Sequence, residues 1–539
     1  MTHSSGFSQI ADEIFFHGKI TTVDSAKPAA EAVAVLAGRI LAVGSDGEIG
    51  KYRGPSTKSV DLRGKRMLPG FIDDHTHFMS GGFQLQSVNL RYANDEAEFA
   101  KIIRERAEKY PSRWITGGDW DHDRWKGGRL PAKSLIDSFT PSTPVFVNRY
   151  DGHMALANSI VLKLAGITRD TPDPPGGVIV KDPATGEPTG VLKDEAMSAV
   201  YRIMPDPSEG EKLEAARLAL AEARKYGLTG IQDISSADDL RIYQKLKANG
   251  ELTARFYCRL PIAECEHVIG TGVHVPFGDE WIRIGSLKAF ADGSLGSSTA
   301  LFFEPFTSDP STHGLATDIV QDGRLNRWAM AADSAGLQLS IHAIGDSANS
   351  LMLDMFEKIT AKNPSWDRRF RLEHAQHIRP QDFDRFARLG VIASAQPYHC
   401  IDDGRWAEQR IGHERCKTTY AFRTFLDHHI TLCFGSDWTV APINPLVGIY
   451  AAVTRRTIDG ANPGGWFPEQ KISVGEAVTA YTLNNAYAAF EEKEKGSITA
   501  GKYADFVVLS DDIFAIDPVQ IEHAAVEMTV LGGKIIYQK

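Results

Sequence analysis

Eight short strand-like runs recur along this chain, each followed by a stretch with helical periodicity. That alternation constrains the fold more than any other feature. The runs are MLPGFIDDHTH (67–77), GLTGIQDIS (227–235), ARFYCRL (254–260), IRIGSLKAF (282–290), LQLSIHAIG (337–345), FRLEHAQ (370–376), VIASAQP (391–397) and ITLCFGSDW (430–438). Between them lie amphipathic stretches such as EKLEAARLALAEARKYG and RPQDFDRFARLG, with Gly227 and Gly390 placed to end helices. Repeated βα units imply parallel strands joined by right-handed crossovers. Eight of them read as an α/β fold of the closed (β/α)8 TIM type, with its active site at the C-terminal ends of the strands. The runner-up is an open doubly wound sheet, and the first run lacks the glycine fingerprint that such a sheet would carry.

Both ends of the chain have a different rhythm. Residues 1–66 and 489–539 alternate short β-like runs with turns, and neither end has enough strands to bury a sheet face alone. The economical solution is one small β-sandwich domain built from both termini, with the barrel over 67–488. Residues 80–210 separate the first two barrel strands by far more than a normal βα connection. They carry their own strands, WITGGDW and TPVFVNRY, and a glycine-rich hairpin, GGVIVKDPATGEPTGVL. The expectation is an insertion folded as a lid over the active site; an independent second domain is the alternative.

The chemistry sits at the strand ends. His75 and His77 are two apart at the end of the first run, so in a strand their imidazoles face one side. Lys288 lies near the end of the fourth run, His342 ends the fifth, His374 the sixth and Asp437 the eighth. One histidine in an apolar run is ordinarily a hydrogen-bonded core residue. Four histidines and an aspartate at barrel strand ends make a metal site for a borderline-soft divalent ion. A neutral Lys288 can react with CO2 to give a carbamate able to bridge two ions; the alternative is an ordinary lysine paired with Asp292 or a helix end. Asp437 is the expected base, which takes a proton from metal-activated water and passes it to a leaving nitrogen. His399, in QPYH, and His153, in RYDGHM, are further catalytic candidates. Arg149 is a weaker one, and Trp120, Tyr150, Phe290, Tyr398 and Trp438 suggest an apolar or aromatic pocket.

Composition excludes other classes. With 42% hydrophobic and 24% charged residues the chain is that of a soluble globular protein. A formal net charge of −10 offers no basic footprint for nucleic acid and no polybasic membrane anchor. No apolar run approaches the roughly 18 residues of a membrane span. The opening MTHSSGFSQIADE has neither the basic nor the apolar region of a secretory signal. Cys258, Cys265, Cys400, Cys416 and Cys433 are odd in number and form no CxxC pair, so a reducing, cytoplasmic setting is expected. The expected partner is a small-molecule substrate, and a homo-oligomer is compatible with the sequence.

The phrases NRYDGHMALANS, KAFADGSLGSSTALFFEPF, HAIGDSANS, RLEHAQHI, SAQPYH, FGSDWTVAPINP and GSITAGKYADFVVL, together with the HTH triplet, extend over nearly the whole chain. They resemble the amidohydrolase superfamily with a binuclear centre, and within it the amidohydrolase-3 (YtcJ-like) group, whose characterised relatives include N-substituted formamide deformylases. The resemblance implies two divalent ions, zinc the expected identity, held by His75, His77, Lys288, His342, His374 and Asp437, with Lys288 as the bridging carboxylated residue. It implies hydrolysis of a C–N, amide-type bond of a small apolar or aromatic substrate. A mononuclear deaminase of a heterocycle, an ester or cyclic-amide hydrolase, and a non-catalytic scaffold remain alternatives. The deaminase would want an acid near the fifth-strand ligand, where the sequence offers Asp346.

Overall fold

The computed structural model describes residues 9–539 except 123–124, 127 and 150–152. The chain divides into two compact units, one of 1–79 with 219–539 and the other of 80–218.

The first unit contains the barrel. Its strands are β1 (Phe71–Thr76), β2 (Leu228–Ile234), β3 (Arg255–Pro261), β4 (Ile282–Phe290), β5 (Gln338–Ala343), β6 (Arg371–His374), β7 (Ile392–Ala395) and β8 (Leu432–Phe434). Consecutive strands pair in parallel from β1 round to β8. All eight predicted runs are therefore strands. Every residue of β1, β5, β6, β7 and β8 is buried, as suits strands covered on both faces. The ring closes loosely: β8 is short, and β1 meets its continuation through an isolated bridge between Thr76 and Trp438. Below that bridge Asn485 spans the gap, donating to the carbonyls of Ile72 (2.6 Å) and Phe434 (2.8 Å). A side-chain amide thus satisfies backbone groups that no ladder reaches. Gly390 follows the helix Phe383–Leu389 with φ 63°, the left-handed cap expected of it.

Strands from both termini share one pair of sheets. Glu13–Phe16, Ala32–Leu36, Arg39–Gly44 and Lys58–Asp61 form one sheet; Lys19–Thr21, Ala29–Ala30, Arg66–Pro69, Phe506–Leu509, Val526–Leu531 and Lys534–Gln538 form the other. Phe15, Val33 and Val35 of the first pack with Met67, Phe506 and Val530 of the second. Two runs of the sequence are divided between sheets. The run EIFFHGKITTVD is not one strand, because His17 turns the chain at φ 54° and sends its halves to different sheets. The run MLPGFIDDHTH also splits, at Gly70: Arg66–Pro69 belongs to the terminal sheet and only Phe71–Thr76 to the barrel. Apolar residues flank the Gly70 junction on both sides, so periodicity alone does not register it, whereas the polar HGK at 17–19 marks the first.

The second unit is a six-stranded sheet in the order Gly177–Lys181, Pro188–Asp194, Met154–Ala157, Phe146–Arg149, Gly117–Trp120, Val88–Asn89. One cluster gathers Phe99, Ile103, Trp120, Val147 and Leu156; another gathers Phe146, Val161, Leu162, Ile179 and Leu192. Adjacent residues such as Phe146 and Val147 enter different clusters, as the period-2 alternation of a strand requires. Among the described residues no helix is long and apolar enough to cross a membrane.

Candidate metal centre

The strand ends of the barrel bring the predicted ligands together. One ligand atom from each of His75, His374 and Asp437 lies within 4.8 Å of the other two, and all three residues are buried. Asp437 Oδ1 is 3.5 Å from His75 Nε2 and 3.4 Å from His77 Nε2. The ring of His342 stands 4.4 Å from that of His374, with its Nε2 turned toward the Gly293 carbonyl at 3.0 Å. His399 opens into the same cavity from the helix Pro397–Asp403, its Nε2 3.8 Å from Asp437 Oδ2.

Local backbone geometry makes this convergence happen. In an extended strand, Glu373 and His374 would face opposite sides. His374 instead adopts φ 70°, which lets both residues serve the centre. Asp437 does the same at φ 56° beyond the end of β8. Left-handed conformations at non-glycine residues cost of the order of 1–3 kcal/mol and persist where their surroundings hold them. Here the Asp437 N–H donates to the His75 carbonyl and the His77 N–H to the Trp438 carbonyl, each at 2.7 Å. Gly435 permits the close approach, since a Cβ there would lie 2.6 Å from the His75 nitrogen and 2.8 Å from its Cβ.

Behind the ligands lies a charged network inside the barrel. Glu373 bonds His75 Nδ1, its carboxylate also accepts from Arg259 Nη1 (2.7 Å) and the Ser394 hydroxyl (2.7 Å), and Arg371 Nε forms an ion pair with it at 3.1 Å. Arg371 reaches Asp74 at 3.1 Å. Burial works against the charge on Glu373, but the Arg259 and Arg371 guanidiniums and His75 outweigh it and hold the carboxyl well below its usual range. A carboxylate on Nδ1 leaves Nε2 as the ligand atom and fixes the ring. Gln396 Oε1 plays the same part for His374 Nδ1 at 2.7 Å.

The charge states suit a cation. Burial, aided by the nearby Lys288, pushes His75 down to about 3. Burial, His342 and His75 hold His374 well below the usual histidine range. Both rings are therefore neutral, the ligand form. Burial raises Asp437, but His75, His77, His374 and His399 reverse this and keep it ionised. Lys288 is 3% exposed, and its Nζ has no hydrogen-bond partner; burial pushes its ammonium down to about 7. The alternative pairing with Asp292 does not occur, because Asp292 is occupied by the N–H groups of Leu301, Ile344 and Gly345. The unsatisfied buried nitrogens of Lys288 and His399, facing a set of imidazoles and one carboxylate, are the donor chemistry that fits a divalent ion.

The cavity in front measures about 420 Å³ and has Phe290, Leu295, Ile344 and Trp406 among its apolar walls. Of the predicted aromatics, Phe290 is 42% exposed and lines it. Trp438 is buried against Phe78, and Trp120 is fully buried in the insertion, donating to the Val147 carbonyl, so these two are packing residues. Tyr398 is half-buried beside His399, and Tyr150 lies outside the described residues. Arg149 is buried within the insertion, 3.8 Å from Asp121. His153, in the same unit, is exposed and bonded to Asp194 at 2.8 Å. Asp346 opens the helix Asp346–Lys362 and accepts the Phe303 N–H at 3.0 Å. Sequence reasoning missed Arg259, Arg371, Glu373, Gln396 and Asp403. The available signal was the presence of charged residues inside strand runs, as in RLEH.

Known proteins resemble this chain over nearly its whole length. A family model described as Amidohydrolase family matches residues 58–537. The chain is 40% identical to Protein LONG AFTER FAR-RED 3 of Arabidopsis thaliana, over 98% of this chain and 92% of that one. It is 35% identical to the putative amidohydrolase YtcJ of Bacillus subtilis, over 98% and 99% of the two chains. It is 27% identical to the N-substituted formamide deformylase of Arthrobacter pascens, over 99% of each. Among solved structures, an uncharacterized metal-dependent hydrolase from Pyrococcus furiosus superposes with a TM-score of 0.78 at 26% identity, covering 93% of this chain and 99% of that one. With the strand-end donors and the barrel that carries them, these matches show that the chain belongs to the amidohydrolase family, in its YtcJ-like group, and is a metal-dependent hydrolase.

Proposed function

We propose that the protein hydrolyses the C–N bond of a small amide, with an N-formyl or other N-acyl amine as substrate. The observation that carries this reading is the meeting of His75, His374 and Asp437 donor atoms within 4.8 Å beside the unpartnered amine of Lys288. His75, His77, His342, His374 and Asp437 would hold two divalent ions, zinc by expectation. Lys288, once its neutral amine had added to CO2 and lost a proton, would give them a further carboxylate ligand. The chemistry supplied by such ions would be Lewis-acid polarisation of the scissile carbonyl and a lowered pKa of water.

The remaining work falls to side chains. Asp437, ionised and 3.8 Å from His399, accepts the proton of the attacking water and delivers it to the leaving nitrogen as the C–N bond breaks. His399 Nε2, buried and without a hydrogen-bond partner, is free to donate to the substrate oxygen. Glu373 keeps His75 fixed throughout. His153, the candidate within the insertion, contributes to substrate selection. The match to an N-substituted formamide deformylase supports a formamide as the first substrate to try. Five cysteines, all buried and free, support a reducing, cytoplasmic setting.

The test is metal analysis combined with a screen of N-formyl, N-acyl, cyclic-amide and ester libraries on zinc-reconstituted protein. About two ions per chain and chelator-sensitive release of amine are expected. A fully active metal-free chain would overturn the reading, and activity confined to esters would redirect it.

A further inference from the structure

One carboxylate in the cavity has no part in the hydrolysis just described. Asp403 ends the helix Pro397–Asp403 and lines the cavity with Gln376, His399 and Trp406. Its Oδ2 accepts hydrogen bonds from the Tyr420 hydroxyl (2.6 Å) and from Gln376 Nε2 (3.0 Å). Both bonds fall on the same oxygen. Among the described residues no Lys, Arg or His nitrogen lies within 4.0 Å of either oxygen. The adjacent Asp402, by contrast, is paired with Arg405.

The supports of Asp403 are themselves fixed. Tyr420 is 1% exposed, its N–H donates to the Gln376 carbonyl (2.9 Å), and its own carbonyl accepts from Arg455 Nη1 (2.7 Å). The carboxylate is therefore held in one orientation by groups that are neutral. A buried carboxylate with no counter-cation is costly, and a cation brought by a ligand offsets that cost. Phe290, Leu295, Ile344 and Trp406 suit an apolar body. A site with apolar walls and one fixed, unpaired acceptor selects for a donor at a matching place on the ligand and rejects analogues that lack it.

We propose that Asp403 is a specificity residue that binds a protonated amine on the substrate, so that the preferred substrates are amides carrying a second, cationic nitrogen on an apolar frame. The proposal rests on the amide-hydrolase reading above and adds the substrate class to it.

The experiment compares zinc-loaded wild-type protein with Asp403→Asn on two formamides of the same shape, N-formyl-4-(aminomethyl)benzylamine and N-formyl-4-ethylbenzylamine. The expected result is a wild-type kcat/KM ratio in favour of the ammonium-bearing compound. Asp403→Asn should lower that ratio by about 10- to 100-fold, the change expected for one hydrogen bond between charged partners. A wild-type ratio near one, or a ratio that Asp403→Asn leaves within about twofold, overturns the proposal and shows a carboxyl that is neutral in the working enzyme. Tyr420→Phe, which frees the carboxylate without removing it, should lower the ratio less. Thermal shift with p-xylylenediamine against 4-ethylbenzylamine supplies a readout independent of turnover. If neither formamide is hydrolysed, and the N-acyl library is not either, the amide reading fails. The proposal for Asp403 then stands only if the diamine stabilises wild type more than the monoamine does and Asp403→Asn abolishes that difference; otherwise it falls too.

Discussion

In the barrel, the side chains enclosed by the strands include Arg259, Arg371 and Glu373, all without solvent exposure. In the insertion, the sheet closes over Phe99, Ile103, Trp120 and Leu156, and its candidate histidine, His153, remains at the surface against Asp194. The insertion is packed as an ordinary apolar core is packed. The barrel interior accepts buried charge, which an apolar replacement would avoid at no loss of stability. What the charge supplies is position: Glu373 aims His75, and two guanidiniums keep Glu373 ionised. Two histidines that look alike in the sequence thus have different dependencies. His75 is a part of the barrel core, whereas His153 is exposed and paired with Asp194.

This contrast can be broken at several points. The largest effect is expected at Asp437. Asp437→Asn should keep the fold, which rests on barrel packing, while lowering kcat by about 10²- to 10⁴-fold. Circular dichroism alongside steady-state kinetics checks both halves; an unchanged rate would move the base to another residue, with His399 next.

The network behind the ligands comes second. Glu373→Gln leaves Arg259 buried without its carboxylate and Arg371 with Asp74 alone, which should cost about 3–5 kcal/mol of stability. The loss of a carboxylate from a metal-binding histidine should also weaken zinc binding by about 10- to 100-fold. Denaturant melts and competition with a chelator measure the two. A variant that loses stability yet binds zinc normally would reduce the network to packing, and the contrast with the insertion would fail.

The third concerns pH. Lys288 must be the free amine to add CO2, and its ammonium is pushed down to about 7 by burial. A base is increasingly deprotonated above its pKa, so the reactive fraction rises with pH, from about 10% at pH 6 to about 90% at pH 8. At constant dissolved CO2, zinc reconstitution of the apoprotein should rise across that window. Lys288→Ala should hold less metal and show no such rise, and short carboxylic acids should partly restore its activity. A flat profile in the wild type would remove the carbamate.

The smallest effect is expected in the insertion. His153→Ala should leave zinc content unchanged and shift kcat/KM among substrates by a few fold. That outcome sharpens the comparison; a loss of metal would erase it.

Much of this organisation is written in local sequence. Eight apolar runs separated by amphipathic stretches dictate alternating strands and helices, because strand and helix periodicities are local properties. The fold class and the strand-end positions of His75, His77, Lys288, His342, His374 and Asp437 follow from that alternation. So does the existence of a sheet within the insertion. The turn at Gly70 is not legible in the same way, since apolar residues flank it on both sides while the backbone changes sheet. Nor is the rest of the site. Glu373 meets Arg259 across the barrel, Asn485 fills the gap between β1 and β8, and Asp403 reaches the cavity from a helix beyond β7. These partners are far apart in the chain, and nothing in local periodicity encodes which buried charge answers which. The left-handed turns at His374 and Asp437 belong with them, because only the surrounding hydrogen bonds hold such conformations in place. Sequence alone determined where the ligands could stand, because strand ends in a barrel share one face. Tertiary structure decided how they are aimed, charged and supported, because those properties come from through-space contacts that form only when the ring closes.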